Sequence, residues 1–175
     1  MNQRLVLPFV TLLALLMLPF AAMAKLADGS LAPAFHLQDQ NSAWVKLADF
    51  KGKWVVVYFY PMDDTPGCTT EACTFRDDIF AFRRLGVDVL GISVQGVASK
   101  KEFAEKYSLP FPVLADEDKS VAKAWGVLNL FRIASRETFI IDPQGKVAKH
   151  YPDVDPKTHS AQLQKDLKAL IKPAA

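Results

Sequence analysis

The sequence predicts an α/β protein in which a mixed β-sheet is flanked by helices. Two continuous β-branched and aromatic runs, residues 54–60 and 87–94, are typical of strands covered on both faces. Segments with apolar residues at helical spacing alternate with these runs, as in a sheet packed between helices. A late hairpin adds antiparallel pairing to this alternation, so we expect the sheet to be mixed.

The first half of the domain contains the central strand and its following helix. Residues 29–50 hold two short candidate strands, and the buried strand 54–60 then ends at Pro61. In residues 66–85 the apolar positions recur at helical spacing, and Gly86 follows where a C-terminal cap is expected. The pattern therefore predicts one long helix between the two buried strands.

The second half repeats the alternation with shorter elements. A type I turn containing Pro143 and Gly145 predicts a hairpin that is closed by a strand through Val147. Apolar residues from Leu163 to Ile171 form one face of a C-terminal helix. The remaining predicted elements are helices at 99–107 and 119–125 and strands at 111–114 and 138–141.

Composition limits the possible classes of protein. The chain has 175 residues, of which 50% are hydrophobic and 23% charged, and this predicts one folded domain rather than a disordered chain. Its 21 basic and 19 acidic residues are spread along the sequence, so we expect no nucleic-acid partner, which would need a clustered basic face. Two cysteines are too few for a disulfide scaffold or a four-cysteine zinc site.

The N-terminus has the three parts of a secretory signal peptide. Arg4 provides the positive start, residues 5–20 are apolar, and residues 22–24 form a small-x-small cleavage site. The apolar run is shorter than the roughly 20 residues that span a bilayer. We therefore predict a cleaved signal peptide at 1–24 and a mature domain at 25–175, periplasmic or otherwise exported and without stable membrane association.

The segment between the strand 54–60 and the next helix carries the strongest candidate for chemistry. Thr65 is a favourable N-cap residue and Pro66 a favourable first helical residue, which places Cys68 in the first turn. The unpaired N–H groups and the helix dipole at this end favour a thiolate. Open α/β sheets also bind their ligands at the carboxyl ends of strands.

A thiolate alone does not produce a fast reaction, because nucleophilicity falls together with basicity. Rapid attack by Cys68 would need groups that position the electrophile and stabilise its leaving oxygen. The Thr65 hydroxyl is one candidate for such a group. A guanidinium from elsewhere in the fold is the natural second.

The second cysteine, Cys73, stands five residues after Cys68. On a helix this spacing gives about 7.5 Å of rise and about 140° of rotation, so the two Cα atoms lie roughly 8.7 Å apart. A disulfide does not bridge Cα atoms beyond about 7 Å without backbone movement. The pair is therefore predicted to be a redox switch that requires local unwinding, with a static structural disulfide as the alternative.

Other residues with possible functions are predicted to be structural. The three histidines show no paired ligand spacing, so we expect no metal site and place each histidine at the surface or half-buried. The three tryptophans lie within apolar patterns and are predicted to be in the core. The pairs Asp63–Asp64 and Lys100–Lys101 are predicted to be solvated.

With these motifs the chain resembles the peroxiredoxins, most closely the bacterioferritin comigratory protein (PrxQ) branch. The resemblance spans about residues 29–171 and depends mainly on the cysteine motif at 65–73. Supporting segments lie at 32–35, 58–61, 87–93 and 136–142. The resemblance implies a thioredoxin-like fold and a peroxidase without metal, haem or flavin.

The resemblance also implies roles for individual residues. Cys68 would attack the peroxide, and Cys73 would resolve the sulfenic acid as an intramolecular disulfide. Thr65 would form a hydrogen bond with the peroxide, and Pro61 would shield the sulfur from water. Arg136 would supply the guanidinium, and Glu71 would orient it. The segment 126–135 is shorter than usual in this branch, so Arg132 stays an alternative to Arg136.

The function that follows is reduction of hydrogen peroxide and organic hydroperoxides by a monomer. An exported dithiol protein with a thioredoxin-like fold would then reduce the disulfide. An exported thiol–disulfide oxidoreductase is the first alternative, although such enzymes typically carry Cys-x-x-Cys. A copper-binding assembly factor is the second, and it lacks an evident histidine ligand.

Overall fold

The computed structural model describes residues 26–171, so the signal peptide predicted at 1–24 lies outside the described residues. The strands are β1 (His36–Gln38), β2 (Trp44–Lys46), β3 (Trp54–Phe59), β4 (Val87–Ser93), β5 (Val113–Ala115), β6 (Glu137–Ile141) and β7 (Val147–Tyr151). The helices are α1 (Pro66–Asp77), α2 (Ile79–Arg84), α3 (Val97–Tyr107), α4 (Ser120–Ala124) and α5 (His159–Ile171). A short 3-10 helix, Leu47–Phe50, follows β2.

The strands form one sheet in the order β2-β1-β5-β4-β3-β6-β7. The central pairs β3–β4 and β4–β5 are parallel, whereas β6 pairs antiparallel with both β3 and β7. Strands β1 and β2 extend the other edge in antiparallel pairing. The predicted mixed sheet is therefore confirmed, and β3 lies near its centre with its carboxyl end next to the start of α1.

Helices cover both faces of the sheet, which explains the continuous apolar run of β3. The side chains of Val56 and Tyr58 enter the core that also contains buried residues of α1, α2, α3 and α5. Val55, Val57 and Phe59 enter the opposite core, together with residues of α4. Successive strand residues point to opposite faces, so a strand between two cores has no polar alternation.

The prediction of one helix over 66–85 is wrong in its continuity. The helix is interrupted at Asp78, whose φ of −93° and ψ of 3° depart from helical values and separate α1 from α2. The Ser160 hydroxyl, in the first turn of α5, donates a hydrogen bond of 2.6 Å to Asp78 Oδ2. Aspartate favours helix ends over helix interiors, and Asp78 is both the C-cap residue of α1 and the N-cap residue of α2. The apolar spacing does not reveal this interruption.

Two predictions of burial are also wrong. Trp44 lies on the edge strand β2 with 60% of its surface exposed and packs at a tilt of 45° against His36, with ring centroids 4.5 Å apart. His159 is only 1% exposed, because the first turn of α5 packs it against Tyr151 and Phe75. Burial lowers the pKa of His159 to about 4, so this histidine is neutral in the folded protein.

Gly91 of β4 is required by the close approach of Tyr58, its register partner on β3. A Cβ at position 91 would lie 2.7 Å from Cζ of the fully buried Tyr58 ring. Overpacking of this kind costs about 1–3 kcal/mol, so Gly91→Ala is expected to lower the free energy of unfolding by about that amount in a denaturant titration. Tyr58→Phe removes only a hydroxyl that has no hydrogen-bond partner among the described residues, and it should not destabilise the protein. Equal stability of Gly91→Ala and wild type would contradict the overpacking argument.

Candidate active site

The loop from β3 to α1 places a cysteine in the first turn of a helix, as predicted. Thr65 is the N-cap residue with extended backbone, and Pro66 is the first residue of α1. The carbonyl oxygen of Thr65 accepts the first helical hydrogen bond, from the amide of Thr69 at 2.8 Å. Cys68 is therefore within the set of N-terminal amides that have no partner inside the helix, and its side chain is 1% exposed.

A guanidinium from a distant part of the chain contacts this sulfur. Arg136 directly precedes β6, whose first residue, Glu137, pairs with Phe59 at the end of β3. This register brings Arg136 to the loop that follows β3, where its Nη2 donates a hydrogen bond to Cys68 Sγ at 3.2 Å. Burial lowers the pKa of Arg136, whereas the neighbouring Glu71 and Cys68 raise it, and the net result is a raised pKa. The side chain is therefore a fixed positive charge beside the sulfur.

A glycine makes room for that contact. A Cβ at Gly67 would lie 3.1 Å from Arg136 Nη2 and 3.8 Å from Pro156 Cγ. A Cβ at position 67 would therefore push the guanidinium away by a few tenths of an ångström, whereas its distance to Pro156 is an ordinary van der Waals contact. Glycine is needed at position 67 because it has no side chain, and not because of an unusual backbone angle, since Gly67 lies within the first turn of α1.

Glu71, one turn after Cys68, holds the other side of the guanidinium. Its Oε2 accepts a hydrogen bond from Arg136 Nη1, and the glutamate is 1% exposed. Its Oε1 is buried without a hydrogen-bond partner among residues 26–171. Burial raises the pKa of Glu71 to about 7, although Arg136 acts in the opposite direction.

The raised pKa of Glu71 predicts a pH dependence of stability. A carboxyl whose pKa is higher in the folded than in the unfolded state stabilises the protein below its unfolded pKa and loses this contribution as the pH rises through the folded pKa. A shift from 4.5 to about 7 corresponds to roughly 3 kcal/mol. The free energy of unfolding of the wild type is therefore expected to fall between about pH 4.5 and 7 relative to that of Glu71→Gln, when both are followed by urea titration.

An exposed glutamate provides the control for this measurement. Glu105→Gln removes a carboxylate that has 69% of its side chain exposed and lies 3.9 Å from Lys101. This variant should follow the wild-type pH profile, because exposed pairs contribute little. Parallel profiles for wild type and Glu71→Gln would show that Glu71 does not titrate in this range.

Thr65 and Pro61 both lie in the loop between β3 and α1. The Thr65 hydroxyl donates to the carbonyl oxygen of Met62 at 3.1 Å, and it makes no side-chain cap to α1 within the described residues. Because the hydroxyl proton is already donated to Met62, the hydroxyl can take part in a further hydrogen bond only as an acceptor, through its lone pairs. Pro61 follows the last residues of β3 and is partly buried.

Both cysteines are on the same helix, and both are free thiols. Cys73 is partly exposed, whereas Cys68 is buried. The second half of α1 is held by two hydrogen bonds to other elements, from Thr74 Oγ1 to the Pro156 carbonyl at 3.1 Å and from Arg76 Nη1 to the Tyr107 carbonyl at 2.9 Å. The premise of the switch prediction, two cysteines five residues apart on one helix, is thus confirmed.

The matches to known proteins agree with this geometry. The model of the AhpC/TSA family matches residues 29–150, which include the cysteine loop and Arg136. Chloroplastic peroxiredoxin Q of Sedum lineare is 47% identical over 150 residues, covering 84% of this chain and 81% of that protein. The chain is a peroxiredoxin of the AhpC/TSA family. It is therefore a thiol peroxidase, and the predicted thioredoxin-like fold is confirmed.

Solved structures of peroxiredoxins share the same fold. Peroxidoxin BcpB of Mycobacterium tuberculosis superposes with a TM-score of 0.78 at 32% identity, covering 83% of this chain and 99% of that chain. The bacterioferritin comigratory protein of Xanthomonas campestris, described with alkyl peroxide reduction activity, has a TM-score of 0.78 at 29% identity and covers 83% and 100%. These matches do not favour the thiol–disulfide oxidoreductase or copper-binding alternatives.

The predicted periplasmic location of this peroxiredoxin is wrong. The curated plant relatives that match it at 43–47% identity are chloroplastic peroxiredoxin Q proteins. A short apolar run with a positive start indicates a targeting segment, but the pattern by itself does not determine the compartment. None of the helices within residues 26–171 is long and apolar enough to cross a membrane.

The two candidate arginines are clearly separated in the structure. Arg136 contacts Cys68, whereas Arg132 is exposed in the loop between Leu128 and Ala134, which are joined by an antiparallel bridge. Arg132 also has a positive φ of 59°, in a tight turn that the Asn129 side chain organises. Among residues 26–171, no cluster of three or more His, Cys, Asp or Glu side chains is arranged to hold a metal ion.

Two residues near the site were predicted to be solvated and are buried instead. Asp63 is 7% exposed and Lys100 is 0% exposed, and they form an ion pair of 2.9 Å. Lys100 shares a face of α3 with the buried Phe103 and Ala104, three and four residues later. That spacing was a signal that could have placed Lys100 inside. For Asp63 the sequence offers no feature that distinguishes it from the exposed Asp64 beside it.

Proposed function

We propose that this peroxiredoxin reduces hydrogen peroxide and organic hydroperoxides at Cys68 and passes through a Cys68–Cys73 disulfide. The observation that carries the proposal is the 3.2 Å contact between Arg136 Nη2 and Cys68 Sγ in the first turn of α1. A guanidinium in this place stabilises the thiolate and also the negative charge that develops on the peroxide as its O–O bond breaks.

In the first step, the Cys68 thiolate attacks the distal oxygen of the peroxide. The S–O bond forms as the O–O bond breaks, and the leaving oxygen takes a proton to become water or an alcohol. The Thr65 hydroxyl oxygen would accept a hydrogen bond from the peroxide, since its own proton is donated to Met62. Pro61 would exclude water from the sulfur, and Glu71 would orient Arg136 through its ion pair.

In the second step, the Cys73 thiol attacks the sulfur of the Cys68 sulfenic acid. A disulfide forms and water leaves. The first turn of α1 must unwind for this step, because two helical residues at this spacing have Cα atoms roughly 8.7 Å apart. The second half of α1 is held by Thr74 and Arg76, so we expect Cys68 to move towards Cys73 and not the reverse.

A dithiol protein with a thioredoxin-like fold would complete the cycle by thiol–disulfide exchange. One thiolate of that protein attacks the Cys68–Cys73 disulfide, and its second thiol releases the mixed disulfide, so that two electrons return to this chain. Cys73 is partly exposed before the first turn of α1 unwinds, whereas Cys68 is buried. Activity on organic hydroperoxides is supported by the alkyl peroxide reduction activity of the Xanthomonas campestris relative.

The proposal is tested by adding one equivalent of hydrogen peroxide, or of cumene hydroperoxide, to the reduced protein. Both thiols should disappear much faster than free cysteine reacts, and peptide mapping should find a Cys68–Cys73 disulfide. Oxidation no faster than that of free cysteine would refute the peroxidase proposal. Rapid reduction of insulin without peroxide would instead support the oxidoreductase alternative, and comparison of several dithiol proteins identifies the class of reductant.

A further inference from the structure

The most unusual buried group outside the reaction scheme is the ion pair of Lys100 and Asp63. Their side chains are 0% and 3% exposed, and Lys100 Nζ lies 2.9 Å from Asp63 Oδ2 and 3.0 Å from Oδ1. The third donor of the ammonium goes to the Ser93 hydroxyl. All three N–H donors of Lys100 are thereby used.

The carboxylate of Asp63 is satisfied equally completely. Its Oδ1 also accepts from the Tyr60 hydroxyl at 2.7 Å, and its Oδ2 accepts from the Ser99 hydroxyl at 2.6 Å. The Asp63 backbone amide donates to Gln95 Oε1 at 2.5 Å. One loop residue is thus held by the end of β3, by the β4–α3 connection and by α3.

A gain in folding stability is a poor explanation for a buried ion pair of this kind. Removing two charges from water has a cost that their attraction only balances, and apolar replacements of buried ion pairs are often as stable. Burial lowers the pKa of Lys100, and Asp63 acts in the opposite direction. A fully connected polar network, by contrast, defines one rigid geometry.

We propose that Lys100 and Asp63 are positioning residues for the peroxide reaction at Cys68. Asp63 stands midway between Pro61 and Thr65, two residues from each, so an anchored Asp63 determines where both lie relative to the sulfur. The anchor also remains in place when the first turn of α1 unwinds, because its partners are Tyr60, directly after β3, and residues of β4 and α3. The loop that receives peroxide is thereby kept in shape while Cys68 moves.

This inference rests on the proposed function, and its test compares two electrophiles. Hydrogen peroxide needs the loop groups around the sulfur, whereas iodoacetamide needs only an accessible thiolate. In Lys100→Met we expect the rate constant for thiol loss to peroxide to fall about tenfold or more. The rate constant for alkylation of Cys68, measured on the same reduced protein, should change less than about threefold. A general loss of structure would change both rate constants together.

Two further variants make the outcome decisive. Lys101→Met removes the neighbouring lysine, which is 64% exposed and 3.9 Å from Glu105, and should behave as wild type in both reactions. Ser99→Ala removes a single hydrogen bond to Asp63 without leaving a buried charge, and it should slow the peroxide reaction about threefold while alkylation is unchanged. If Lys100→Met does not fold, the two rate constants of Ser99→Ala decide whether the proposal holds.

The inference is overturned if the folded variants react with peroxide at the wild-type rate, or if both reactions fall equally. Failure of the proposed function gives a different result. In that case the wild-type protein itself reacts with peroxide no faster than free cysteine does, whatever happens at Lys100.

Discussion

A Cys73→Ser variant is expected to consume one equivalent of peroxide in a fast step and then to stall as the Cys68 sulfenic acid. The sequence contains two cysteines, so the sulfenic acid at Cys68 has no other thiol in the chain with which to condense. Turnover with a dithiol protein reductant should fall to a small fraction of the wild-type rate. The stalled sulfenic acid should oxidise further to sulfinic acid. Mass spectrometry of the peroxide-treated variant would detect both the added oxygen and its increase with peroxide concentration.

The matched control is Cys68→Ser, which should consume no peroxide although Cys73 is the more exposed thiol. Exposure alone does not activate a thiol, and Cys68 is the one with a guanidinium at 3.2 Å. Continued turnover of Cys73→Ser at the wild-type rate would show that a thiol of another molecule resolves Cys68. Peroxide consumption by Cys68→Ser would reverse the two assigned roles.

Replacing Arg136 with methionine is expected to slow the reaction of Cys68 with peroxide by about 10²–10³-fold. This is the usual loss when one preorganised donor is removed from the site where charge develops in a transition state. Methionine keeps much of the side-chain length but supplies neither the charge nor the hydrogen bond to Sγ. Stopped-flow measurement of thiol loss at several peroxide concentrations gives the rate constant directly.

Removal of Arg136 also leaves Glu71 as a buried carboxyl without its partner. The double variant Arg136→Met with Glu71→Gln avoids this and separates loss of the guanidinium from loss of stability. It should be as slow with peroxide as the single variant but more stable. Arg132→Met is the matched control, and it should react at the wild-type rate because Arg132 is exposed in a neighbouring loop. A large loss in Arg132→Met with none in Arg136→Met would contradict the assignment.

The local features of the site could be predicted from the sequence because they depend on neighbours along the chain. The run of β-branched and aromatic residues at 54–60 predicts a doubly covered strand, and β3 is covered on both faces. Thr65 and Pro66 predict the start of a helix, and α1 begins at that point. The position of Cys68 in the first turn follows from these two residues alone.

The predictions that failed depend on contacts between distant segments. Asp78, where the helix is interrupted, accepts a hydrogen bond from Ser160 of α5, and the exposure of Trp44 reflects its place on an edge strand. Ser160 lies 82 residues from Asp78, and the place of β2 at the edge depends on the strand order of the whole sheet. The predicted periplasmic location failed for a different reason, because a targeting pattern was taken to specify a compartment.

The sequence by itself determined the mixed α/β sheet, the helix that begins at Pro66 and the five-residue spacing that separates two helical cysteines. These properties come from side-chain periodicity and helix geometry, which act over a few residues. Only the tertiary structure decided which arginine reaches Cys68, since the pairing of β6 with β3 brings Arg136 across 68 residues of chain. It likewise decided that Asp63 and Lys100 are buried together while Asp64 and Lys101 remain exposed, because burial of a charge requires partners that only the folded chain assembles.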